Sequence, residues 1–229
     1  MLKLLLKNSP VFKLNKKFVL LFLGRAFQTL LAILSIRLLT SFLSQQEVGH
    51  QYLLNSIILW FSLVLINPVG MFFNRHLHEW KENKQLYFYI RQLNKYFTAI
   101  ALLSLPIVFI IRNYFNVGEF LPSFEILIFI LLYIYFSTWF QTLISLFNLF
   151  DLQKVFVILN IFSQSCGLLF AAFFVKFIEA TAIAWMSGLL LGQVVTLAVS
   201  LLLFYKKFPK NKFNLTPNNE GLFSKSTFN

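Results

Sequence analysis

Two arginines, Arg25 and Arg37, stand inside the apolar run FVLLFLGRAFQTLLAILSIRLLTSFL. An ionised side chain in a membrane-length apolar segment costs at least about 2.5 kcal/mol, so it normally faces a polar interior or a watery cavity. At about 100° per residue, Arg25, Gln28, Thr29, Ala32 and Ser35 share roughly 120° of arc. They form a polar stripe on a helix otherwise built from Leu, Ile and Phe. The chemistry such a stripe offers is anion binding, because a guanidinium fork meets phosphate oxygens bidentately. Arg37 lies about 120° around the helix from Arg25 and about 18 Å farther along it. It either joins the same cavity or snorkels to the nearer membrane surface.

Further polar residues recur at helical spacing. Thr138, Gln141, Thr142, Ser145 and Asn148 mark one stripe, with Asp151 at its end; Asn160, Ser163, Gln164 and Gly167 mark another, and Gln193, Thr196 and Ser200 a third. Each residue either lines an aqueous path or joins helices by hydrogen bonds and close contact. Arg25, Gln28, Arg37, Gln141 and Asn160 are the candidate cavity residues. Asn67, Pro68 and Gly70, in the run NPVG, are the candidate hinge, since proline removes a backbone donor and crowds the preceding turn. In a membrane the freed carbonyls need partners or a cavity. A static packing kink would have the same sequence, and Pro106 is a second site of this kind.

Other reactive side chains carry less. His76 and His78, two residues apart in RHLHEWKENK, point in different directions on a helix and have no third ligand in view. This stretch reads as an amphipathic connector anchored at the interface by Trp80 and Tyr87. The single cysteine, Cys166, has no partner for a disulfide and reads as a small packing residue. There is no P-loop or Rossmann glycine signature, so ATP hydrolysis and a bound nucleotide cofactor are not expected. The apolar segments also lack the paired acids or His, Ser and Asp sets of a hydrolase or transferase.

These residues need elements to hold them. With 58% hydrophobic residues, 12% charged residues and thirty phenylalanines in 229 residues, the composition is that of an all-α polytopic membrane protein rather than a soluble domain. Spanning about 30 Å of hydrocarbon takes about 20 helical residues. Six segments qualify, near 18–40, 52–74, 93–114, 121–148, 153–177 and 180–204. Gly188 and Gly192, in GLLLG, have the spacing that lets two membrane helices approach closely. The start, MLKLLLKNSPVFKLNKK, lacks a signal peptide's order of regions, so membrane entry is expected from the first span.

The net charge of +12 does not point to nucleic acid, because the basic residues fall in short stretches between apolar runs. Outside the spans, sixteen lie before span one, around the junction of spans two and three, after span four and after span six; the other connections hold only Arg112 and Lys176. Such an asymmetry predicts that the basic side is cytoplasmic, as are both termini. Residues 1–17 then form a basic cytoplasmic amino terminus and 18–204 the transmembrane bundle. Residues 205–229 read as a polar, basic cytoplasmic tail or a truncation junction.

Two stretches, GRAFQTLLAILSIRLLTSFLSQQEVGHQYLLNSI and LINPVGMFFNRHLHEW, together resemble the start of Wzx-type polysaccharide or O-antigen flippases. These belong to the multidrug/oligosaccharidyl-lipid/polysaccharide exporter superfamily. Residues 18–82 carry most of the resemblance, through the first-span arginines, the turn RLLTSFLSQQEVGHQYLL and the exit INPVG. The resemblance implies one lobe of a two-lobe transporter in the bacterial inner membrane. It implies translocation of undecaprenyl-diphosphate-linked oligosaccharide for surface polysaccharide or lipopolysaccharide synthesis. A family member has two six-helix lobes moving against each other. A single lobe therefore implies a homodimer, a separately encoded second half, or an inactive truncation. The competing readings are a non-transporting membrane interaction subunit or relic, and a membrane-embedded glycan polymerase or acyltransferase. The short, mostly uncharged outer connections argue against the last.

Overall fold

A computed structural model describes residues 16–115 and 123–209, and among them every regular element is helical. The helices are α1 (Lys16–Phe42), α2 (Gln45–Phe61), α3 (Asn67–Glu82), α4 (Leu86–Phe115), α5 (Ser123–Leu149), α6 (Gln153–Phe177) and α7 (Ala182–Lys207), with a π-helical turn, Ser62–Ile66, joining α2 to α3. Six helical stretches are long and apolar enough to cross a membrane, α2 and α3 counting as one 38-residue span. The set fits a multi-pass membrane protein. The expected basic terminus and tail fall outside the described residues, except that Lys16 and Lys17 open α1, and Tyr205, Lys206 and Lys207 close α7 ahead of Phe208 and Pro209.

Span two is longer than the 52–74 expected. It starts early because Ser44 caps α2, its Oγ accepting from the Glu47 N–H at 3.3 Å, which satisfies one of the four orphan donors of a helix start. It ends late because the amphipathic stretch after Arg75 stays helical. Phe73, Leu77 and Trp80 recur at four and three residues and are buried, so the connector has a face to bury. The turns that follow are tight. Lys84, before α4, and Asp151, before α6, both take the left-handed conformation, with φ of 60° and 61°.

α5 is the central helix and the most buried of the spans, and α1 is the least buried. It packs against α4, α6 and α7, and the closest helix pair in the bundle is α6 with α7. That pair touches backbone to backbone. A Cβ built on Gly188 would collide with the main chain of Ala171 and Phe170, and one on Gly192 with the main chain of Gly167. The small-residue spacing read from GLLLG thus does what it permits, letting two helices close to contact distance. α1 docks on α6 far more than on its sequence neighbour α2, Gly24 making room for Val157.

Side-chain contacts tie the two ends of the bundle. At one end the α2 and α7 starts meet: the Glu47 carboxylate accepts the Ala182 N–H at 2.6 Å and pairs with His50 Nδ1 at 3.0 Å. At the other end an aromatic cluster gathers α3, α4, the α5–α6 turn and the end of α7. Trp80 stacks on Tyr89 at 4.0 Å, the Tyr87 hydroxyl donates to the Phe208 carbonyl, and the Lys81 ammonium sits 4.5 Å from the Phe150 ring and 5.4 Å from that of Phe208. Lys81, Lys84, Arg91, Lys154, Lys206 and Lys207 lie toward this basic end. Trp80 and Tyr87, expected as interfacial anchors, are instead buried packing residues.

Candidate functional site

Pro68 is where the second span departs from a regular helix. It stands in the first turn of α3, and the turn before it widens so that the Asn67 N–H reaches back to the Ser62 carbonyl. Proline cannot donate and its ring crowds the carbonyl four residues earlier. Widening the preceding turn relieves the crowding, as π-bulges commonly do at interruptions. One carbonyl in the widened stretch finds a partner on another helix, Leu65 O accepting from the Tyr96 hydroxyl of α4 at 2.7 Å. Pro106 differs, since α4 runs through it without interruption.

The widened turn faces α5 across a groove. Two adjoining cavities, of about 340 and 460 Å3, share Ile66, Thr138 and Gln141. The first draws Tyr52, Asn55, Ser56 and Ser62 from span two, Ser137, Thr138 and Gln141 from α5 and Gln193 from α7. The second draws Asn67, Pro68, Gly70 and Asn74 from α3 and Thr142 and Ser145 from α5. The polar lining consists of amides and hydroxyls, with no charged residue in either cavity. The Gln193 Oε1 is buried without a hydrogen-bond donor. Gln141 donates weakly to Ser137 at 3.3 Å, leaving its carbonyl oxygen available. Such a surface can exchange hydrogen bonds with a polyhydroxylated neutral group in the way water does.

The structure divides the residues singled out by sequence. Gln141, Asn67, Pro68 and Gly70 come together in this groove, with four of the five members of the α5 stripe. Arg25, Gln28 and Asn160 gather elsewhere, on the α1–α6 contact around Phe156. Arg25 Nη1 donates to Gln28 Oε1 at 3.2 Å, its guanidinium lies 5.9 Å from the Phe156 ring, and the Asn160 amide donates to the Phe156 carbonyl. Gln28 is buried, whereas Arg25 is exposed on the chain, flanked by exposed Phe22, Leu23 and Leu30. Among the described residues no carboxylate pairs with Arg25. Arg37 is apart from both groups, exposed about one and a half turns from the end of α1.

Other polar residues from the sequence have packing roles. Ser163 and Gly167 lie under Gly192 of α7, and Thr196 and Ser200 are buried and bond back to carbonyls four residues earlier in their own helix. His76 Nδ1 donates to the Phe72 carbonyl of its own helix at 3.0 Å and stacks on Trp80; His78 meets the Phe150 ring edge-on. Among the described residues no three His, Cys, Asp or Glu side chains converge on a metal-sized site. The groove residues that sequence reasoning passed over are Tyr52, Asn55, Ser56 and Ser62. Their spacing of three, four and seven residues is the helical signal that would have found them.

No protein-family model, curated protein or solved structure matches the chain.

Proposed function

We propose that the chain is a flippase-like half-transporter that moves a lipid-linked oligosaccharide, of the undecaprenyl-diphosphate class, across the bacterial inner membrane for surface polysaccharide synthesis. In this reading the basic end is cytoplasmic, as the charge asymmetry favours, and a second lobe, from a homodimer or a separate chain, completes the path. The observation that carries the reading is Arg25. It is an arginine in a membrane-length apolar helix, exposed on the chain, held by one amide and one ring face and by no carboxylate among the described residues. Leaving that guanidinium against lipid is costly, so a polar or anionic group has to cover it in the working assembly. A diphosphate on one side and a facing lobe on the other supply that cover.

The neutral groove supports the same reading. A sugar head needs many hydroxyl-matching partners and no counter-charge, which is what the amides and hydroxyls between span two and α5 offer. Binding then divides between phosphate at Arg25 and sugars along the groove, and the widened turn before Pro68 gives span two a place to bend. No bond is made or broken in the substrate. The protein replaces the water that the head group loses on leaving the aqueous phase.

The test is export of surface polysaccharide by cells in which this chain and its second lobe are the sole route. Arg25→Ala is expected to abolish export at unchanged protein level, with lipid-linked precursor accumulating on the cytoplasmic face. Arg25→Lys is expected to restore it in part, since a point charge replaces a bidentate fork. Full export with Arg25→Ala removes the proposal.

A further inference from the structure

On the far side of α5 from the neutral groove lies a second depression, of about 510 Å3, between α4, α5 and α7. Its size falls within the roughly 300–1,000 Å3 of small-molecule sites, and its chemistry is the reverse of the groove's. The wall is apolar and aromatic, with Phe136, Leu143, Leu197 and Leu201 prominent, and it runs from mid-helix to a mouth at the basic end, where Arg91 and Tyr205 are exposed and buried Tyr87 lines the wall. We propose that this depression binds one anionic phospholipid, with an acyl chain along the apolar wall and the phosphate on Arg91 and Lys95.

Charge argues for the headgroup. Arg91 lines the depression, and Lys95, four residues on and just outside the lining, shares its face of α4. Side chains on a helix lean toward its amino terminus, which for α4 is the basic end. Both are exposed, and among the described residues neither is paired with a carboxylate. The described parts of the three helices that form the depression contain one acidic residue, Glu125, at the opposite end of α5. Lys206 and Lys207 follow directly on Tyr205 and add positive charge at the mouth. Basic pockets of this kind between membrane helices attract anionic lipid headgroups.

The floor supplies a further donor. Asn94 lines the depression, and its Oδ1 accepts from both the Tyr135 hydroxyl and Trp139 Nε1, each at 3.0 Å. Indole nitrogen can only donate, which fixes the amide's orientation. The Asn94 NH2 is turned away from these two and has no partner among the described residues. It stands one turn in from Arg91, where the glycerol esters of a lipid held by its phosphate at the mouth would lie. A soluble phosphate would leave the apolar wall unused, so the site is matched to a lipid. It is separate from the neutral groove and does not depend on the transport reading.

The experiment is native mass spectrometry of the full chain released from detergent and titrated with phosphatidylglycerol or phosphatidylcholine. Wild type is expected to retain one phosphatidylglycerol at a concentration at least fivefold below that needed for phosphatidylcholine. R91Q/K95Q is expected to bring the two lipids level, and R91K/K95R to keep the preference. L201W fills the apolar wall without altering charge and is expected to lose the retained lipid. Equal retention of the two lipids by wild type, or a preference that survives R91Q/K95Q or L201W, overturns the proposal. Should R91Q/K95Q fail to remain monodisperse, L201W decides by itself.

Discussion

Replacing either glycine of the α6–α7 contact by alanine tests whether these helices touch through their backbones. Carbon atoms in contact sit about 3.5–4.0 Å apart. A Cβ on Gly188 or Gly192 would lie far inside that distance of main-chain atoms on α6, and main chain has no rotamer to yield. The helices would have to part by about 1 Å, a gap that forfeits a quarter to a half of each contact's dispersion energy along the seam. Overpacking of this kind costs about 1–3 kcal/mol, and the rigidity of the obstructing atoms places both variants at the upper end. Glycine to alanine also gains up to about 1 kcal/mol of helix propensity. Gly49 isolates that gain, because it lies within α2 and a Cβ there meets nothing within 4 Å. That leaves a net loss of about 2 kcal/mol, and with about 2–4 °C of Tm per kcal/mol at this chain length, Gly188→Ala and Gly192→Ala should each melt about 4–8 °C below wild type. Gly49→Ala should melt at or slightly above it. The assay is thermal unfolding of the detergent-purified chain by tryptophan fluorescence, Trp185 being buried on α7. Gly188→Ala and Gly192→Ala melting as high as Gly49→Ala would refute the close approach.

Three further outcomes follow from single contacts. Glu47→Ala removes the acceptor of the Ala182 N–H, worth about 1–2 kcal/mol as a charged cap, so hydrogen exchange at Ala182 should quicken about tenfold; Glu47→Gln, which keeps an acceptor oxygen, should quicken it less. Tyr96→Phe leaves the Leu65 carbonyl without its donor and should lower Tm by roughly 2–6 °C, while a variant that melts like wild type would show that the carbonyl has other partners. Lys84→Gly relieves an L-residue held at φ 60° and should raise Tm by about 2–4 °C, a fall instead showing that unfolded-chain entropy outweighs the strain.

The sequence made some of this legible and hid the rest for identifiable reasons. Six spans follow from hydropathy alone, because a bilayer demands length and apolarity before anything else. The α5 stripe from Thr138 to Ser145 was visible because three- and four-residue spacing survives into the structure as one face. Its partner, the Tyr52 to Ser62 stripe, was missed because span two was taken to start at Tyr52; the cap at Ser44 moves the start back and turns those residues into mid-helix positions. The loosening at Pro68 was expected, but its form was not, since nothing in SLVLI marks a widened turn. The separation of Arg25 from Gln141 could not be read at all. Periodicity tells which residues share a helix face, not which helix that face will meet, and the docking of α1 on α6 is a tertiary fact.

That docking bears on how the protein is made. α1 leaves the ribosome well before its main neighbour α6, which follows only after roughly a hundred further residues, on the order of ten seconds of synthesis. Through that interval Arg25 cannot lean on Phe156, and Gln28, one turn away on the same helix, is the companion already present. The short-range amide bond is therefore the contact that Arg25 keeps whether or not α6 has docked.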